Sequence, residues 1–259
     1  MSVEEAGEGP ALLMLHAGVS ERHMWDGQWA WLQHQMRVVR WDWRGFGDTP
    51  HVPGPFSYMD DLIRIMDALA IDTATLLGCS FAGGVAIETA ILHPDRVVRL
   101  ALVTSGVPGY QFPVPPAVEA LFQEAEAATA QGQYDRERQI MEQLFLVGPG
   151  RRAEDVDPAY LTRARTLLKR ANLPDNGAVS TDADWSAQGR LGDIGVPVLV
   201  VAGDQDVPDV VSGASLLARE IPQTRFEIIA NAAHLPNMER PRQFDTILSD
   251  WLAATSQEA

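Results

Sequence analysis

Short runs of apolar residues recur along this chain, separated by segments whose apolar positions follow a helical spacing. Six of the runs are rich in Val, Leu and Ile and lack the alternation of a half-exposed sheet, as expected for strands covered on both faces. They span residues 11–15, 37–41, 74–78, 97–104, 196–202 and 225–229. The pattern therefore predicts six buried strands.

Helical patterns lie between most of these runs. In one of them the apolar residues recur at three- and four-residue steps: Leu62, Ile65, Met66 and Leu69. Ser57 precedes this segment as a predicted N-cap, and residues 81–92 and 241–253 are predicted to form two further helices. Alternation of buried strands with helices predicts the α/β class, with a doubly wound, mostly parallel sheet.

The stretch from Val107 to Gly192 breaks this alternation. It opens with VPGYQFPVPP, which is too rich in proline for a central strand, and no strand-like run follows before Val196. Helical patterns cover residues 117–130, 136–147 and 158–172, the last with Asp157-Pro158 as N-cap and first turn. We predict a helical cap formed by residues 107–192 and inserted between two strands of a core formed by residues 1–106 and 193–259.

The composition argues against several classes of binding partner. The formal net charge is −15 and the chain holds a single cysteine among 259 residues. Strong acidity argues against nucleic-acid binding, and one cysteine excludes an intrachain disulfide or a multi-cysteine metal site. No apolar run approaches the roughly 18 residues of a membrane span, and the acidic segment MSVEEAGEGP does not resemble a secretory signal. We predict a cytoplasmic protein with no membrane partner.

The segment Gly78-Cys79-Ser80-Phe81-Ala82 follows a predicted strand and opens a predicted helix. This is the setting of a nucleophile elbow, in which a sharp turn exposes a serine and leaves room only for small neighbours. Ala82 departs from the strict G-x-S-x-G pattern by one methyl group. The alternative, a phosphate-binding turn, lacks both G-x-G-x-x-G and a following Lys-Ser/Thr pair.

A serine nucleophile needs a base, and the base needs an orienting carboxylate. His234 lies in the loop after residues 225–229, at the carboxyl end of the predicted sheet, where active sites of open α/β sheets gather. We assign it as the base. His93, at a helix end before Pro94, is interpreted as structural.

The orienting acid is expected after residues 196–202, where three aspartates follow: Asp204, Asp206 and Asp209. We assign Asp206 by its position. Asp204 as a turn former and Asp209 as a helix cap are ordinary roles for aspartate.

An oxyanion hole is expected from two backbone N–H groups. One belongs to Phe81, directly after the serine, and the other is assigned to Gly18 in the loop after the first predicted strand, with Val19 as the alternative. His16 in the same loop is interpreted as a hydrogen-bonding brace rather than a base.

Together these segments resemble the α/β-hydrolase superfamily, in its capped serine-hydrolase branch. The matching pieces are LLMLHAG, MWDGQ, RVVRWDWRGFGDT, MDALAI, LLGCSFAGGVAIETAILHPDRVVRLALV, VPVLVVAGDQD and AAHLPNMERPRQF. The pattern is similar to 3-oxoadipate enol-lactonase-like esterases and lactonases. The resemblance implies hydrolysis of a small ester or lactone through an acyl-enzyme on Ser80, with no metal or organic cofactor.

Several alternatives stay open at this point. The same triad serves C–C bond hydrolases, cofactor-free lyases, perhydrolases and small-molecule receptors of this fold. Serine rather than aspartate at position 80 argues against haloalkane dehalogenases and epoxide hydrolases. Few residues precede the first predicted strand, so we expect six or seven strands in the sheet. Its edge is then exposed or covered by another chain, and a homo-oligomer is one such arrangement.

The predicted substrate pocket is compact and mostly apolar. Its eight candidate residues are Met24, Trp25, Trp43, Phe81, Leu146, Trp185, Val207 and Leu235. The alternative for each is packing between cap and core. No arginine clamp is evident in the strand-end loops, although Arg22 lies near one. This argues against a dianionic substrate.

Overall fold

A seven-stranded sheet lies at the centre of the protein. The computed structural model describes residues 1–171 and 177–255, and these residues form β1 (Val3–Ala6), β2 (Ala11–Leu15), β3 (Arg37–Trp41), β4 (Gly54–Phe56), β5 (Ala74–Cys79), β6 (Val97–Val103), β7 (Ala178–Ser180), β8 (Val198–Gly203) and β9 (Thr224–Ile229). The sheet order is β1-β3-β2-β5-β6-β8-β9, and β4 pairs with β7 in a small separate sheet. Only the edge strand β1 is antiparallel to its neighbour in the large sheet.

Helices cover both faces of this sheet. The described helices are α1 (Asp26–Leu32), α2 (Tyr58–Ala68), α3 (Phe81–Leu92), α4 (Pro116–Ala130), α5 (Tyr134–Met141), α6 (Pro158–Leu168), α7 (Pro208–Glu220), α8 (Pro236–Glu239) and α9 (Pro241–Thr255). Successive strand residues point to opposite faces. Leu76 accordingly packs in the cluster that contains α2, α3 and α7 residues, whereas Leu77 packs in the cluster that contains α9 residues. The predicted doubly wound α/β fold is confirmed.

All six predicted strands belong to the large sheet, with ends shifted by one or two residues. The structure adds β1, which pairs with β3 and completes seven strands. Its sequence, Val-Glu-Glu-Ala, is half-buried on alternate residues and too short to show a pattern. The large sheet therefore has seven strands, the larger of the two expected numbers.

The region between β6 and β8 contains α4, α5 and α6, as predicted. Asp157 caps α6, since its carboxylate accepts hydrogen bonds from the N–H groups of Ala159 and Tyr160 at 2.8 and 2.9 Å. The division of the chain into cap and core at the predicted boundaries stays a prediction.

Three details of this region differ from expectation. The helix predicted over 136–147 is α5 followed by a π-helical segment, Glu142–Val147. The helix predicted over 158–172 ends at Leu168, and its predicted last residue lies outside the described residues. The short strand β7 lies where no strand was predicted, because three residues carry too little pattern to be recognised.

Candidate active site

Ser80 occupies the sharp turn between β5 and α3. Its backbone has φ 60° and ψ −127°, in the region that non-glycine residues rarely adopt. A Cβ atom on Gly78 would lie 2.7 Å from the Ala82 carbonyl oxygen, and one on Gly83 would overlap the Ser105 side chain. The close approach of strand and helix thus requires glycine at positions 78 and 83, while Ala82 is accommodated and fully buried.

Backbone hydrogen bonds hold this turn in place. The Ser80 N–H donates to the Val103 carbonyl at 3.0 Å, which ties the turn to β6. The Ser80 carbonyl accepts from the N–H groups of Gly83 and Gly106, both at 3.0 Å. These bonds hold the strained backbone conformation that presents the hydroxyl.

The structure brings Ser80, His234 and Asp206 together in one hydrogen-bonded chain. His234 Nε2 lies 2.8 Å from Ser80 Oγ, and His234 Nδ1 lies 2.8 Å from Asp206 Oδ2. The other Asp206 oxygen accepts from the Val207 N–H at 2.7 Å. A carboxylate at Nδ1 keeps the proton on that nitrogen, so that Nε2 faces the serine as an acceptor.

The loop after β9 holds His234 through its backbone. The His234 carbonyl accepts from the Thr104 hydroxyl at 2.9 Å, and its N–H donates to the Phe145 carbonyl at 3.2 Å. The Phe145 ring also lies 4.6 Å, centroid to centroid, from the imidazole. His234 is therefore fixed both by the end of β6 and by the π-helical segment. That segment belongs to residues 107–192 between β6 and β8, here called the cap region. Sequence spacing did not reveal these contacts.

A buried ion pair supports the same loop. Glu239 accepts from the Ala233 N–H at 2.8 Å, and its two carboxylate oxygens lie 2.8 and 3.2 Å from the Arg151 guanidinium. Arg151 also donates to the carbonyls of Val147 at 2.6 Å and Asn231 at 3.2 Å. Because the Glu239 side chain is fully buried, this pair joins the cap region firmly to the residue before His234.

The neighbouring aspartates have other positions. Asp204 accepts from the Asn231 N–H at 2.7 Å and so links the acid loop to the histidine loop, as expected of a turn former. Asp209 lies in the first turn of α7 rather than at its N-cap, which is Val207, because Pro208 occupies the first helical position.

The two residues predicted to supply the oxyanion donors are in close proximity. Phe81 is the first residue of α3, so its N–H has no partner one turn earlier in the helix. Gly18 lies against the Phe81 ring, since a Cβ atom on Gly18 would meet Phe81 Cδ1 at 3.4 Å. Assignment of the second N–H to Gly18 rather than Val19 stays a prediction.

His16 braces the loop that carries Gly18. Its Nε2 accepts from the Trp43 N–H at 3.0 Å, and its Nδ1 lies 2.9 Å from the Ala17 carbonyl. Burial lowers the pKa of His16 to about 4, so the ring is neutral near pH 7. The interpretation of His16 as a brace is confirmed.

A cavity of about 660 Å³ opens beside Phe81. Its lining residues come from the start of α3, the segment after β6, α4 and the start of α7: Phe81, Gly84, Ser105, Gly106, Val107, Pro108, Tyr110, Gln111, Phe112, Val114, Glu119, Phe122, Asp209, Val210 and Gly213. Among these described lining residues, Asp209 and Glu119 are charged and none is Lys, Arg or His. Burial raises the pKa of Asp209 above its ordinary value.

Of the eight predicted pocket residues, Phe81 lines this cavity and the other seven do not. Six of them are fully buried in hydrophobic clusters: Met24, Trp25, Trp43, Leu146, Val207 and Leu235. Trp185 is half-buried against the first of these clusters. These contacts match the alternative interpretation, in which the side chains pack in the hydrophobic interior and do not face a substrate. The tryptophans illustrate it, since Trp25 packs on Phe244 and Trp43 packs on Trp41.

Arg22 forms ion pairs with carboxylates that do not line this cavity. Its guanidinium contacts Asp42, lies 2.9 Å from Glu4 and lies 2.8 Å from Asp48. The hydrogen bonds that it donates to Asp48 and Glu4, together with the charge of Asp42, raise its pKa despite burial. These bonds hold β1 and the loop after β3 together. Arg22 therefore does not face the cavity beside Phe81.

No group of three or more His, Cys, Asp or Glu side chains in residues 1–171 and 177–255 is arranged to hold a metal ion. Within the same residues, no helix has the length and apolar character needed to cross a membrane.

Ser80 has a strained backbone at a strand–helix turn, and its hydroxyl is hydrogen-bonded to a histidine that is bonded to a buried aspartate. This arrangement defines the class of α/β proteins that carry a Ser-His-Asp triad on a nucleophile elbow. The chain belongs to the alpha/beta hydrolase fold family, which matches residues 10–241.

The similar proteins include several hydrolases. The chain is 26% identical to 3-oxoadipate enol-lactonase 1 of Acinetobacter baylyi, over 94% of this chain and 88% of that protein. It is also 26% identical to the 2-hydroxymuconate semialdehyde hydrolase of a Pseudomonas strain, over 100% of this chain and 92% of the relative. A thermophilic esterase from Thermogutta terrifontis has a similar structure, with a TM-score of 0.80, 26% identity and coverage of 98% and 93% of the two chains. The chain is thus a hydrolase of this family with esterase and lactonase resemblance.

Proposed function

We propose that the protein hydrolyses small carboxylic esters or lactones through an acyl-enzyme on Ser80. The observation that carries this proposal is the unbroken chain from Ser80 Oγ through His234 to Asp206, with both links at 2.8 Å. The strained backbone of Ser80 supports it, because strain of this kind gathers at functional sites.

In the proposed first step, Ser80 Oγ attacks the acyl carbon while His234 Nε2 takes the hydroxyl proton. Asp206 holds the imidazole and stabilises its protonated form. The tetrahedral intermediate collapses when His234 gives its proton to the departing alcohol oxygen. In a lactone this oxygen stays joined to the acyl group. His234 then activates a water molecule, which attacks the acyl-enzyme and releases the acid.

The N–H groups of Phe81 and Gly18 are proposed to stabilise the negative oxygen of each intermediate. Phe81 offers the free N–H at the start of α3, where the helix dipole also favours negative charge. Loss of one such donor typically lowers the rate by about 10²–10³.

We propose uncharged esters or lactones as the substrate class. The cavity beside Phe81 carries two carboxylates with aromatic and apolar neighbours, and the whole chain has a net charge of −15. Both features disfavour a substrate with several carboxylates. The enol-lactonase and esterase relatives support ester and lactone chemistry, whereas the semialdehyde hydrolase makes C–C bond hydrolysis the alternative on the same triad.

Fluorophosphonate labelling, combined with turnover of p-nitrophenyl acetate and butyrate, tests the proposal. The wild type is expected to label and turn over, and Ser80→Ala to lose both, with a rate loss on the order of 10⁶. His234→Ala is expected to lose turnover similarly. Ser249→Ala and His93→Ala, which change a serine and a histidine outside this site, serve as matched controls.

Two results would contradict the proposal. A folded wild type that does not label has no activated serine. A Ser80→Ala variant that keeps its turnover while His234→Ala loses it indicates a lyase in which His234 acts alone as base.

A further inference from the structure

Within residues 1–171 and 177–255, β9 pairs with β8 alone and forms one edge of the large sheet. The Val198 N–H donates to the Gln223 carbonyl at 2.8 Å, and the Asp204 N–H donates to the Ile229 carbonyl at 3.1 Å. In a parallel pair, the backbone groups of alternate residues point to the same side. Odd-numbered residues of β9 therefore bond to β8, and the N–H and C=O groups of Thr224, Phe226 and Ile228 point away from the sheet.

This edge lacks the usual protection against pairing with another chain. The strand sequence is Thr-Arg-Phe-Glu-Ile-Ile, without proline, glycine or lysine, and all six residues pair in register with β8. Phe226 and Ile228 are 37% and 41% exposed. The opposite edge strand, β1, is shorter, with four residues against six in β9. Natural proteins commonly shorten, charge or cover their edge strands, so an open apolar edge indicates that something covers it.

The sequence of β9 is complementary to itself about Phe226. When two antiparallel copies meet with Phe226 opposite Phe226 of the second copy, Thr224 lies opposite Ile228 and Arg225 opposite Glu227. Residues 224, 226 and 228 have outward backbone groups, so they fall at the hydrogen-bonded positions of this register. Arg225 and Glu227 fall at the position where opposite side chains come closest.

The charges on this strand match the same register. Arg225 and Glu227 lie on one face of β9, where Arg225 Nε is 2.8 Å from Glu227 Oε1 within the chain. Both side chains are partly exposed. In the antiparallel arrangement each arginine meets both its own glutamate and that of the second copy. A shift of the register by two residues would remove these matched pairs.

We propose that β9 pairs antiparallel with β9 of a second copy of this chain, centred on Phe226, and joins two seven-stranded sheets into one. The contact uses the same surface on both copies, as a twofold dimer requires. Main-chain hydrogen bonds hold the pair, and the Arg225–Glu227 contacts select the register.

This inference goes beyond the proposed hydrolysis. Ser80, Asp206 and His234 all come from one chain, so turnover of a monomer and formation of a dimer are separate properties. Esterase measurements therefore test the proposed hydrolysis, and assembly measurements test the proposed dimer, each independently of the other.

Charge-reversed variants test the register by sedimentation velocity over a wide range of chain concentration. R225E places two acidic side chains on one face of the strand, and E227R places two basic side chains there. Each variant alone is expected to be monomeric, because like charges face each other across the twofold axis. An equimolar mixture is expected to form a heterodimer, since every cross-strand pair is then opposite in charge while neither chain has its internal pair.

F226P tests the backbone contact independently of charge. The Phe226 N–H points away from β8, so proline removes a donor at the free edge and none from the sheet. The variant is expected to be monomeric with an unchanged circular-dichroism spectrum. A monomeric wild type at every concentration would overturn the proposal. So would a dimer that survives F226P, since it must use another surface, or a mixture of R225E and E227R that stays monomeric.

Discussion

Asp209 and Glu119 give the cavity beside Phe81 its charge. For two p-nitrophenyl esters of equal chain length, one neutral and one ending in a carboxylate, Asp209→Asn is expected to raise the kcat/KM of the anionic ester relative to the neutral one. Removal of one nearby negative charge predicts about a tenfold change in this ratio. Steady-state kinetics with both esters measures it.

Glu126→Gln is the matched control for this prediction, because Glu126 is exposed on α4 and does not line the cavity. It is expected to leave the ratio of the two kcat/KM values unchanged. An equal ratio in wild type and Asp209→Asn would show that the substrate does not approach this carboxylate.

Glu88 introduces a pH dependence of stability. It is buried in α3, and burial, together with repulsion from Asp182 and Asp60, raises its pKa from 4.5 to about 7. Between these values the folded protein holds a proton that the unfolded chain has released. The free energy of unfolding therefore falls as the pH rises through this window.

Glu88→Gln is expected to remove that dependence. The stability of the variant relative to wild type should increase by about 2 kcal/mol between the acid end of the window and about pH 8. Urea unfolding at both pH values measures the difference. If the gap between variant and wild type is the same at both pH values, folding does not raise the pKa of Glu88.

Single residues could be assigned from sequence where the chemistry constrains their neighbours along the chain. Ser80 stood out because the elbow demands small residues at fixed offsets, and His234 because it follows a strand end. Thr104 and Phe145 contact His234 from distant parts of the chain, and Arg151 bonds to Glu239 beside the same loop. No local pattern marks these three residues. The predicted pocket residues other than Phe81 do not line the described cavity, because apolar side chains at strand ends pack equally well into the core.

At the scale of elements, the Arg151–Glu239 pair couples the cap region to the histidine loop. Arg151→Met is expected to destabilise the protein by about 3 kcal/mol, since it leaves a buried carboxylate without its partner. It should also lower kcat more than it changes KM, because Glu239 holds the Ala233 N–H next to His234. Urea unfolding and steady-state kinetics check both effects.

Arg152→Ala is the natural control, because Arg152 neighbours Arg151 and makes only exposed ion pairs with Glu154 and Asp155. It is expected to change neither stability nor kcat measurably. The double variant Arg151→Met/Glu239→Gln should lose less stability than Arg151→Met alone, since it removes the unpaired charge. Equal loss in the two would mean that the ion pair is not the cause.

Elements were predictable in proportion to their length and burial. β5 and β8 are buried at every residue and appear in the sequence as continuous apolar runs. β1, β4 and β7 have three or four residues and depend on pairing with strands far along the chain. The π-helical segment was predicted as ordinary helix because its apolar spacing is nearly the same, although its geometry places the Phe145 carbonyl at the His234 N–H.

At the scale of the whole molecule, the acidic surface coexists with a set of arginine contacts between the cap region and the sheet layer. Arg163 lies 2.8 Å from Asp26, and Arg170 lies 2.7 Å from Asp48. With the Arg151–Glu239 pair, they attach α6 and its neighbours to the core at separate points. The net charge therefore describes the protein's outer field, while Arg151, Arg163 and Arg170 form contacts between the segments on either side of β6 and β8.

The one cysteine of this chain is placed directly before Ser80 and is fully buried. Its thiol lies 3.3 Å from the Thr104 hydroxyl, and burial raises the pKa of Cys79 to about 12. A thiol reagent can therefore react only when β5 separates from its neighbours. Modification in native buffer is expected to be slower than in urea by at least about 10³-fold. Cys79 is therefore a single-site probe of local unfolding. The rate at which a colourless disulfide reagent turns yellow measures how often β5 separates from its neighbours at the centre of the sheet.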